Sequence, residues 1–136
     1  MRRKVFVDTG YFLALLRKRD SLHQVAVDAS EEYRGPFLTT DLVLVEIANA
    51  LSQPAYRASA VSFVEKIRSD KSTTVVSFGS DGMSKAFTLY KERPDKEWGL
   101  VDCFSFVTMK ENRTRTALTF DYHFRQAGFE APLLVA

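Results

Sequence analysis

Residues 4–10 read KVFVDTG, an apolar run that ends in an aspartate and is followed closely by a glycine. Val5, Phe6 and Val7 are β-branched or aromatic, which is typical of a short strand buried on both faces. The polar residues that follow end this strand, and residues 11–17 are predicted to form a helix. The chain therefore begins with a buried strand that carries a carboxylate, Asp8, directly after its last residue.

The same alternation of strand and helix continues along the chain. Further strands are predicted at 37–40, 73–78 and 116–120, with a last edge strand at 133–135. Further helices are predicted to run from a cap at Asp20-Ser21 through Glu32, from a cap at Asp41 through 42–52, and at 56–69, 80–93, 100–112 and 122–127. Continuous apolar strands between helices indicate a parallel sheet covered on both faces. We expect a single domain over residues 1–136, a three-layer α/β/α fold with a central, mostly parallel sheet of four or five strands.

Composition excludes several classes of protein. Hydrophobic residues make up 46% of the 136 residues, which is enough for a core and rules out a disordered chain. The single cysteine, Cys103, cannot form an internal disulfide, and a zinc-binding pair of cysteines is absent from the sequence. The net charge of +2 is too small to indicate a nucleic-acid partner by itself. The sequence contains no apolar run long enough to span a bilayer, and a cytoplasmic location is expected.

Two carboxylates follow predicted strands, Asp8 after the first and Asp121 after the fourth. The carboxyl ends of parallel strands meet at one edge of a sheet, where ligands of α/β proteins bind. Aspartate is also a favoured N-cap, and each of these residues precedes a predicted helix. A site and a pair of helix caps are both consistent with this pattern.

Two further carboxylates lie on apolar helices. Glu46 follows the run LVLV at 42–45, and Asp102 lies in the most apolar helix of the chain, at 100–112. A carboxylate is rarely buried unless it is paired or binds a cation. The alternatives are a solvated helix face for Glu46 and a favourable interaction with the helix dipole for Asp102. Four clustered carboxylates would repel one another unless a hard divalent cation, Mg²⁺ or Mn²⁺, neutralised them. His23 and His123 are interpreted as surface or helix-end residues.

Four motifs in chain order make the sequence resemble the PIN-domain family, in particular the VapC-type toxin ribonucleases of toxin–antitoxin pairs. They are VFVDT at 5–9, LVEI at 44–47, WGLVDC at 98–103, and ALTFDYHF at 117–124 with AGF at 127–129. The resemblance implies a metal-dependent endoribonuclease with Asp8, Glu46, Asp102 and Asp121 as the acidic cluster that binds Mg²⁺ or Mn²⁺. It also implies an RNA substrate, an antitoxin partner that occupies the groove, and a homodimer.

Residues around the acidic cluster have supporting roles in this interpretation. Thr9 and Thr119 are expected to hold carboxylates by hydrogen bonds. The third motif departs from the usual family pattern, because Gly99 and Val101 stand where hydroxyl residues are common. Asp95 matches an acidic position often seen upstream of that motif, although a surface turn explains it equally well.

Basic residues should flank a site that binds RNA phosphates, and the candidates are Arg17, Lys18, Arg19, Arg113, Arg115 and Arg125, of which the last three lie near Asp121 in sequence. Contact with RNA is predicted for Arg113 and Arg125. Both also lie near predicted helix C-termini, where the dipole favours cations. Two other functions remain open from the sequence. One is a magnesium-dependent phosphatase or phosphotransferase of doubly wound fold, which would need a second acidic residue near Asp8. The other is a PIN module without activity that acts only by binding a partner.

Overall fold

The computed structural model describes residues 3–135 and contains four strands and seven helices in that range. The strands are β1 (Val5–Val7), β2 (Phe37–Thr40), β3 (Thr73–Val76) and β4 (Ala117–Leu118). The helices are α1 (Thr9–Leu16), α2 (His23–Glu32), α3 (Asp41–Ala50), α4 (Pro54–Ser69), α5 (Gly79–Glu92), α6 (Leu100–Glu111) and α7 (His123–Gln126).

The four strands form one parallel sheet in the order β3-β2-β1-β4. The chain moves outward from β1 to β2 and β3, and then returns across the sheet to place β4 on the other side of β1. Right-handed crossovers in opposite directions put their helices on opposite faces of the sheet. Accordingly α1 contacts α2 and α3, and α3 contacts α4, whereas α6 contacts α5 and α7. The three-layer α/β/α fold with a parallel sheet is confirmed.

The core lies between the sheet and these two helical layers. Phe6 on β1, Leu38 on β2 and Leu118 on β4 are fully buried, as the continuous apolar runs predict. Ile47 of α3 is fully buried in the first helical layer, and Phe124 of α7 is buried in the second, where its ring lies 5.8 Å from that of Phe6. These contacts fix the strand ends relative to the helices that follow them.

The order of strands reverses between β1 and β4, which lie next to each other although most of the chain separates them. In open α/β sheets a crevice forms at such a reversal, beyond the carboxyl ends of the strands. Asp8 follows β1, and Asp121 follows β4 after two residues. The topology therefore places both aspartates at the position where ligands of this fold class bind.

One predicted strand is absent, and another is shorter than predicted. Residues 133–135 form no strand, because Pro132 lacks an N–H and the Leu134 amide donates to the Ala131 carbonyl in a turn. The only pairing in this region of the described chain is a single parallel bridge between Thr116 and Glu130. The fourth strand is also shorter than predicted and ends at Leu118.

Two predicted helix caps are also wrong. The cap of α3 is Thr40, whose hydroxyl accepts from the Val43 amide at 3.2 Å, and Asp41 instead accepts from the Phe78 amide at 3.0 Å. Helix α2 begins at His23, because Asp20 accepts from the Leu22 amide in a turn that precedes the helix. Within residues 3–135 no helix has both the length and the apolarity needed to cross a bilayer.

Candidate active site

Asp8 lies between the ends of β1 and β4. Its backbone N–H donates to the Leu118 carbonyl at 3.1 Å, which joins the two strand ends. Asp8 is at the N-cap position of α1, but its side chain makes no capping bond. Instead its Oδ2 accepts a hydrogen bond from the Thr119 hydroxyl at 2.8 Å. The helix-cap interpretation of Asp8 is therefore wrong, and its carboxylate points across the sheet edge toward the end of β4.

Glu46 approaches the same region from α3. The Thr9 hydroxyl donates to Glu46 Oε1 at 2.5 Å, which links α3 to the first turn of α1. Glu46 is half-buried, whereas its neighbours Val45 and Asn49 are exposed. A freely solvated helix face thus describes these neighbours but not Glu46.

Asp102 and Asp121 lie on either side of a histidine. His123 Nδ1 is 2.9 Å from Asp102 Oδ2 and 3.4 Å from Asp121 Oδ1. The backbone N–H of His123 also donates to Asp121 Oδ1 at 2.9 Å, so the Asp121 side chain closes a turn at the start of the short helix α7. The Thr119 hydroxyl completes this arrangement by accepting from the Asp121 amide at 3.0 Å. One imidazole and one threonine therefore fix the positions of two carboxylates from different elements.

The replacement of hydroxyl residues by Gly99 and Val101 does not leave Asp102 without support. The Gly99 backbone N–H donates to Asp102 Oδ2 at 3.1 Å, and His123 contacts the same oxygen. Asp102 lies in the first turn of α6, where the helix dipole also favours a negative charge. Backbone and imidazole donors thus hold this carboxylate.

The charges at the site are not balanced. The pKa of Asp8 is raised to about 7, chiefly by burial; the hydrogen bond from Thr119 opposes this rise, and the nearby carboxylates of Asp102 and Glu46 add to it. Burial lowers the pKa of His123, but the hydrogen bond to Asp102 and the charges of Asp121 and Asp102 outweigh burial, so that its pKa is raised. Burial is thus the main cause of the shift at Asp8, whereas neighbouring carboxylates cause the shift at His123.

The structure brings the four predicted acidic residues to one edge of the sheet, two of them in a tight group with His123 and two beside that group. One ligand atom each from Asp102, Asp121 and His123 lies within 4.8 Å of the others, the only such group of three within residues 3–135. Asp8 and Glu46 lie outside that tight group, near enough for Glu46 and Asp102 to act on the pKa of Asp8. Carboxylate oxygens are the ligands that Mg²⁺ and Mn²⁺ prefer, so the donor set fits a hard divalent cation.

His123 is the residue that sequence reasoning missed. From the sequence it is interpreted as a surface or helix-end residue; it does begin α7, but it also contacts two of the acidic side chains, which was not predicted. The signal was present in the spacing, because Asp121 precedes His123 by two residues at the end of a strand. A short turn at that point brings both side chains toward the same crevice.

The two arginines predicted to bind RNA lie at different places in the fold. Arg113 follows the C-terminal end of α6, whereas Asp102 lies in the first turn of that helix. The Arg125 guanidinium donates to the Ala131 carbonyl at 2.9 Å and so holds the C-terminal segment. Arg113 therefore does not flank the acidic residues, and contact of Arg125 with RNA stays a prediction. Asp95 forms a bidentate ion pair with the neighbouring Arg93, with both distances 3.0 Å, as expected for a surface turn.

Comparisons with known proteins agree with this geometry. Residues 5–130 match the PIN domain family model. The 23S rRNA-specific endonuclease VapC20 of Mycobacterium tuberculosis is 27% identical over 125 residues, which cover 92% of this chain and 95% of that protein.

Two solved structures have the same fold. The crystal structure of M. tuberculosis VapC20, described as a sarcin-ricin loop cleaving toxin, superposes with a TM-score of 0.84 at 26% identity over 93% of this chain and 96% of that one. A toxin–antitoxin complex from Klebsiella pneumoniae superposes with a TM-score of 0.64 at 15% identity, over 98% and 97% of the two chains. With a family model that spans nearly its whole length, this chain belongs to the PIN-domain family.

Proposed function

We propose that the protein is a divalent-metal-dependent endoribonuclease that hydrolyses RNA phosphodiester bonds. The observation that carries this proposal is the convergence of Asp8, Glu46, Asp102 and Asp121 at the strand-order reversal of the sheet. The similarity to VapC20, which is named as a 23S rRNA endonuclease, supports RNA as the substrate class. A ribosomal RNA stem-loop is the substrate that we would test first.

The residues of the chain would divide the work of such a reaction. Asp8, Asp102 and Asp121 are the proposed ligands of the cation, Mg²⁺ or Mn²⁺. A bound divalent cation lowers the pKa of water and stabilises negative charge on the scissile phosphate and the leaving oxygen. Glu46 is the proposed further ligand or the base that orients the attacking water. The Thr9 hydroxyl bonds its Oε1, which leaves Oε2 for either role.

The residues around the ligands would keep them in place. Thr119 bonds both Asp8 and the backbone of Asp121, and so couples the ends of two strands. His123 bonds Asp102 and approaches Asp121, which restricts the rotation of both side chains. Hydrogen-bond partners of metal ligands fix the ligand orientation on which metal affinity depends.

We also propose that the protein is the toxin of a toxin–antitoxin pair and that it forms a homodimer. The related VapC20 is described as a toxin, which supports the first part. For the second, α5 exposes Met83, Phe87 and Tyr90 on its surface, where apolar side chains of this size are suited to a protein interface. Co-purification with the product of an adjacent short reading frame and the mass of the purified protein in solution test the two parts.

The proposed activity is tested by incubating the purified protein with a labelled RNA stem-loop, and separately with a phosphomonoester, in Mg²⁺ or Mn²⁺. We expect internal cleavage of the RNA that EDTA abolishes, and no turnover of the phosphomonoester. Turnover of the phosphomonoester alone would favour a phosphatase, which the sequence left open. Absence of both reactions would favour a PIN module that acts only by binding.

A further inference from the structure

A second charged site lies at the opposite edge of the sheet. A cavity of about 570 Å³ opens where α6 ends and where β1 and β4 begin. We call it the basic cavity, because four of the side chains that line it are cations: Arg3, Lys110, Arg113 and Arg115. All four are exposed, and Glu130 is the one carboxylate in the lining. A small volume thus carries a concentrated positive charge in a chain whose net charge is only +2.

The cations of the basic cavity are not neutralised by the protein. Within residues 3–135 none of the four forms an ion pair with a carboxylate. Glu130 is directed to another partner, since its Oε2 accepts from the Thr116 hydroxyl at 3.1 Å. Four cations without a carboxylate partner in one small volume are a feature that a bound oxyanion would satisfy.

Arg113 occupies a backbone position that favours glycine. Its φ of 54° lies in the left-handed region, which ordinary side chains rarely adopt. The Thr114 amide donates to the Met109 carbonyl at 2.9 Å and the Arg113 amide to the Lys110 carbonyl at 3.1 Å, the two bonds that end a helix at a left-handed residue. Glycine is the usual residue there, so the fold alone does not explain an arginine.

The helix dipole accounts for only part of the basic cavity. Lys110 and Arg113 lie at the C-terminal end of α6, where cations interact favourably with the free carbonyls. Arg3 and Arg115 precede β1 and β4 instead, and strand ends have no comparable dipole. The dipole therefore does not account for the whole group, whereas a common anionic ligand would.

We propose that the basic cavity binds a backbone phosphate of the RNA substrate at a point remote from the bond that is cleaved, an inference that rests on the proposed function. Guanidinium groups bind phosphate oxygens in bidentate fashion, and three of the four cations are arginines. The acidic cluster repels phosphates when it holds no cation. A remote cationic site compensates for that repulsion and adds affinity only for an RNA long enough to reach both sites.

The length of α6 sets the size of that RNA. Asp102 lies in the first turn of α6 and Arg113 follows its last residue, so the two are about 16 Å apart along the axis at about 1.5 Å per residue. At about 3.4 Å per nucleotide of a helical strand, this distance corresponds to roughly five nucleotides. A short oligonucleotide bound at the acidic cluster does not reach the basic cavity, and a longer stem-loop does.

The test measures the binding of fluorescently labelled RNA by the wild-type protein in EDTA, where the proposed cleavage does not occur. Arg113→Gly and Arg115→Gln each remove one cation from the cavity. Lys71→Gln removes an exposed cation near the start of β3, at the far side of the sheet from β4, and serves as the matched control. Each protein is titrated against a stem-loop of about thirty nucleotides and an oligonucleotide of about four, with and without inorganic phosphate at constant ionic strength.

We expect Arg113→Gly and Arg115→Gln to weaken binding of the stem-loop by about three- to tenfold and to reduce its salt dependence by about one charge each. We expect Lys71→Gln to bind like the wild type and the short oligonucleotide to be unaffected by either cavity variant. Arg113→Gly should melt no lower than the wild type, which separates lost binding from lost folding. Stem-loop affinity unchanged in both variants would overturn the proposal.

Two other outcomes are equally informative. Equal losses for the short and the long RNA would contradict a remote site. Inorganic phosphate at constant ionic strength should weaken stem-loop binding by the wild type more than by the cavity variants, and an equal effect on all of these proteins would contradict a phosphate site in the cavity. Cleavage in Mg²⁺ is measured in parallel on the same proteins. If the variants lose RNA binding but the wild type does not cleave the RNA, the proposed function is refuted and the binding site is supported. If the wild type cleaves the RNA and the variants bind it normally, the binding site is refuted and the proposed function is supported.

Discussion

Replacing Asp8 by asparagine should make the metal-free protein more stable, although it removes a proposed metal ligand. The pKa of Asp8 is raised from 3.8 to about 7, chiefly by burial. The folded protein therefore keeps a proton on Asp8 between these pH values, whereas the unfolded chain loses it. A group of this kind costs stability as the pH rises through that window, and the loss is complete above pH 7. Asparagine carries no charge at any pH and avoids this cost.

The magnitude follows from the size of the shift. At about 1.4 kcal/mol per pKa unit the full cost has a ceiling of about 4 kcal/mol, and about 3 kcal/mol of it arises between pH 5 and pH 8. Part of the Asp8 side chain remains open to solvent, and we expect a measured effect of about 1 to 3 kcal/mol. The Thr119 hydroxyl still finds an acceptor in the amide oxygen of asparagine, so the substitution breaks no hydrogen bond made by this hydroxyl.

The assay is urea unfolding in EDTA at pH 5 and pH 8, followed by the fluorescence of Trp98. This residue is the only tryptophan, and it is 6% exposed, so unfolding changes its surroundings completely. The stability advantage of Asp8→Asn over wild type should widen by about 1 to 3 kcal/mol from pH 5 to pH 8. Asp28→Asn, which changes an exposed aspartate of α2, is the control and should show no such widening. An advantage that is equal at both pH values, or a variant that is less stable at pH 8, would refute the reasoning.

Three further substitutions test the surroundings of the site and the fold. His123→Ala should lower the rate of RNA cleavage by roughly ten- to a hundredfold, because two acidic side chains lose the group that orients them, and single-turnover kinetics at saturating RNA would show this. Thr119→Val should move the acid limb of the pH–rate profile to higher pH, since the hydroxyl that lowers the pKa of Asp8 is lost; an unchanged profile would argue against this coupling. Thr40→Ala removes the hydroxyl that caps α3 at the Val43 amide and should cost about 1 kcal/mol in urea unfolding, without changing the cleavage rate per folded molecule.

The sequence was most informative for strands that are buried on both faces. Val5, Phe6 and Val7 predict a buried strand because a parallel sheet covered on both faces needs apolar residues on each side, and the structure has that strand. The same physics predicts the helices, with boundaries within about three residues. It failed for residues 133–135, where apolar side chains form a turn because Pro132 has no N–H for strand pairing.

The acidic residues of the candidate site could be predicted from the sequence, but the contacts between their side chains and His123 could not. Asp8 and Asp121 follow strands whose carboxyl ends must meet at one edge of a parallel sheet, so their convergence follows from topology. The contact of His123 with Asp102 joins residues 21 positions apart on different helices, and helix packing decides it. Arg113 was placed wrongly because closeness in sequence to Asp121 does not mean closeness in space when a strand lies between them.

The central claim is that the four carboxylates form one cation site at which RNA is cleaved. Cleavage of a labelled RNA stem-loop in Mg²⁺ by wild type and by Asp121→Asn tests it most directly, with circular dichroism to confirm that both proteins are folded. The account predicts that wild type cleaves the RNA, that EDTA stops it, and that the folded variant cleaves at least a hundredfold more slowly, roughly the loss expected when a metal site is disrupted. A folded Asp121→Asn protein that cleaves at the wild-type rate would contradict it.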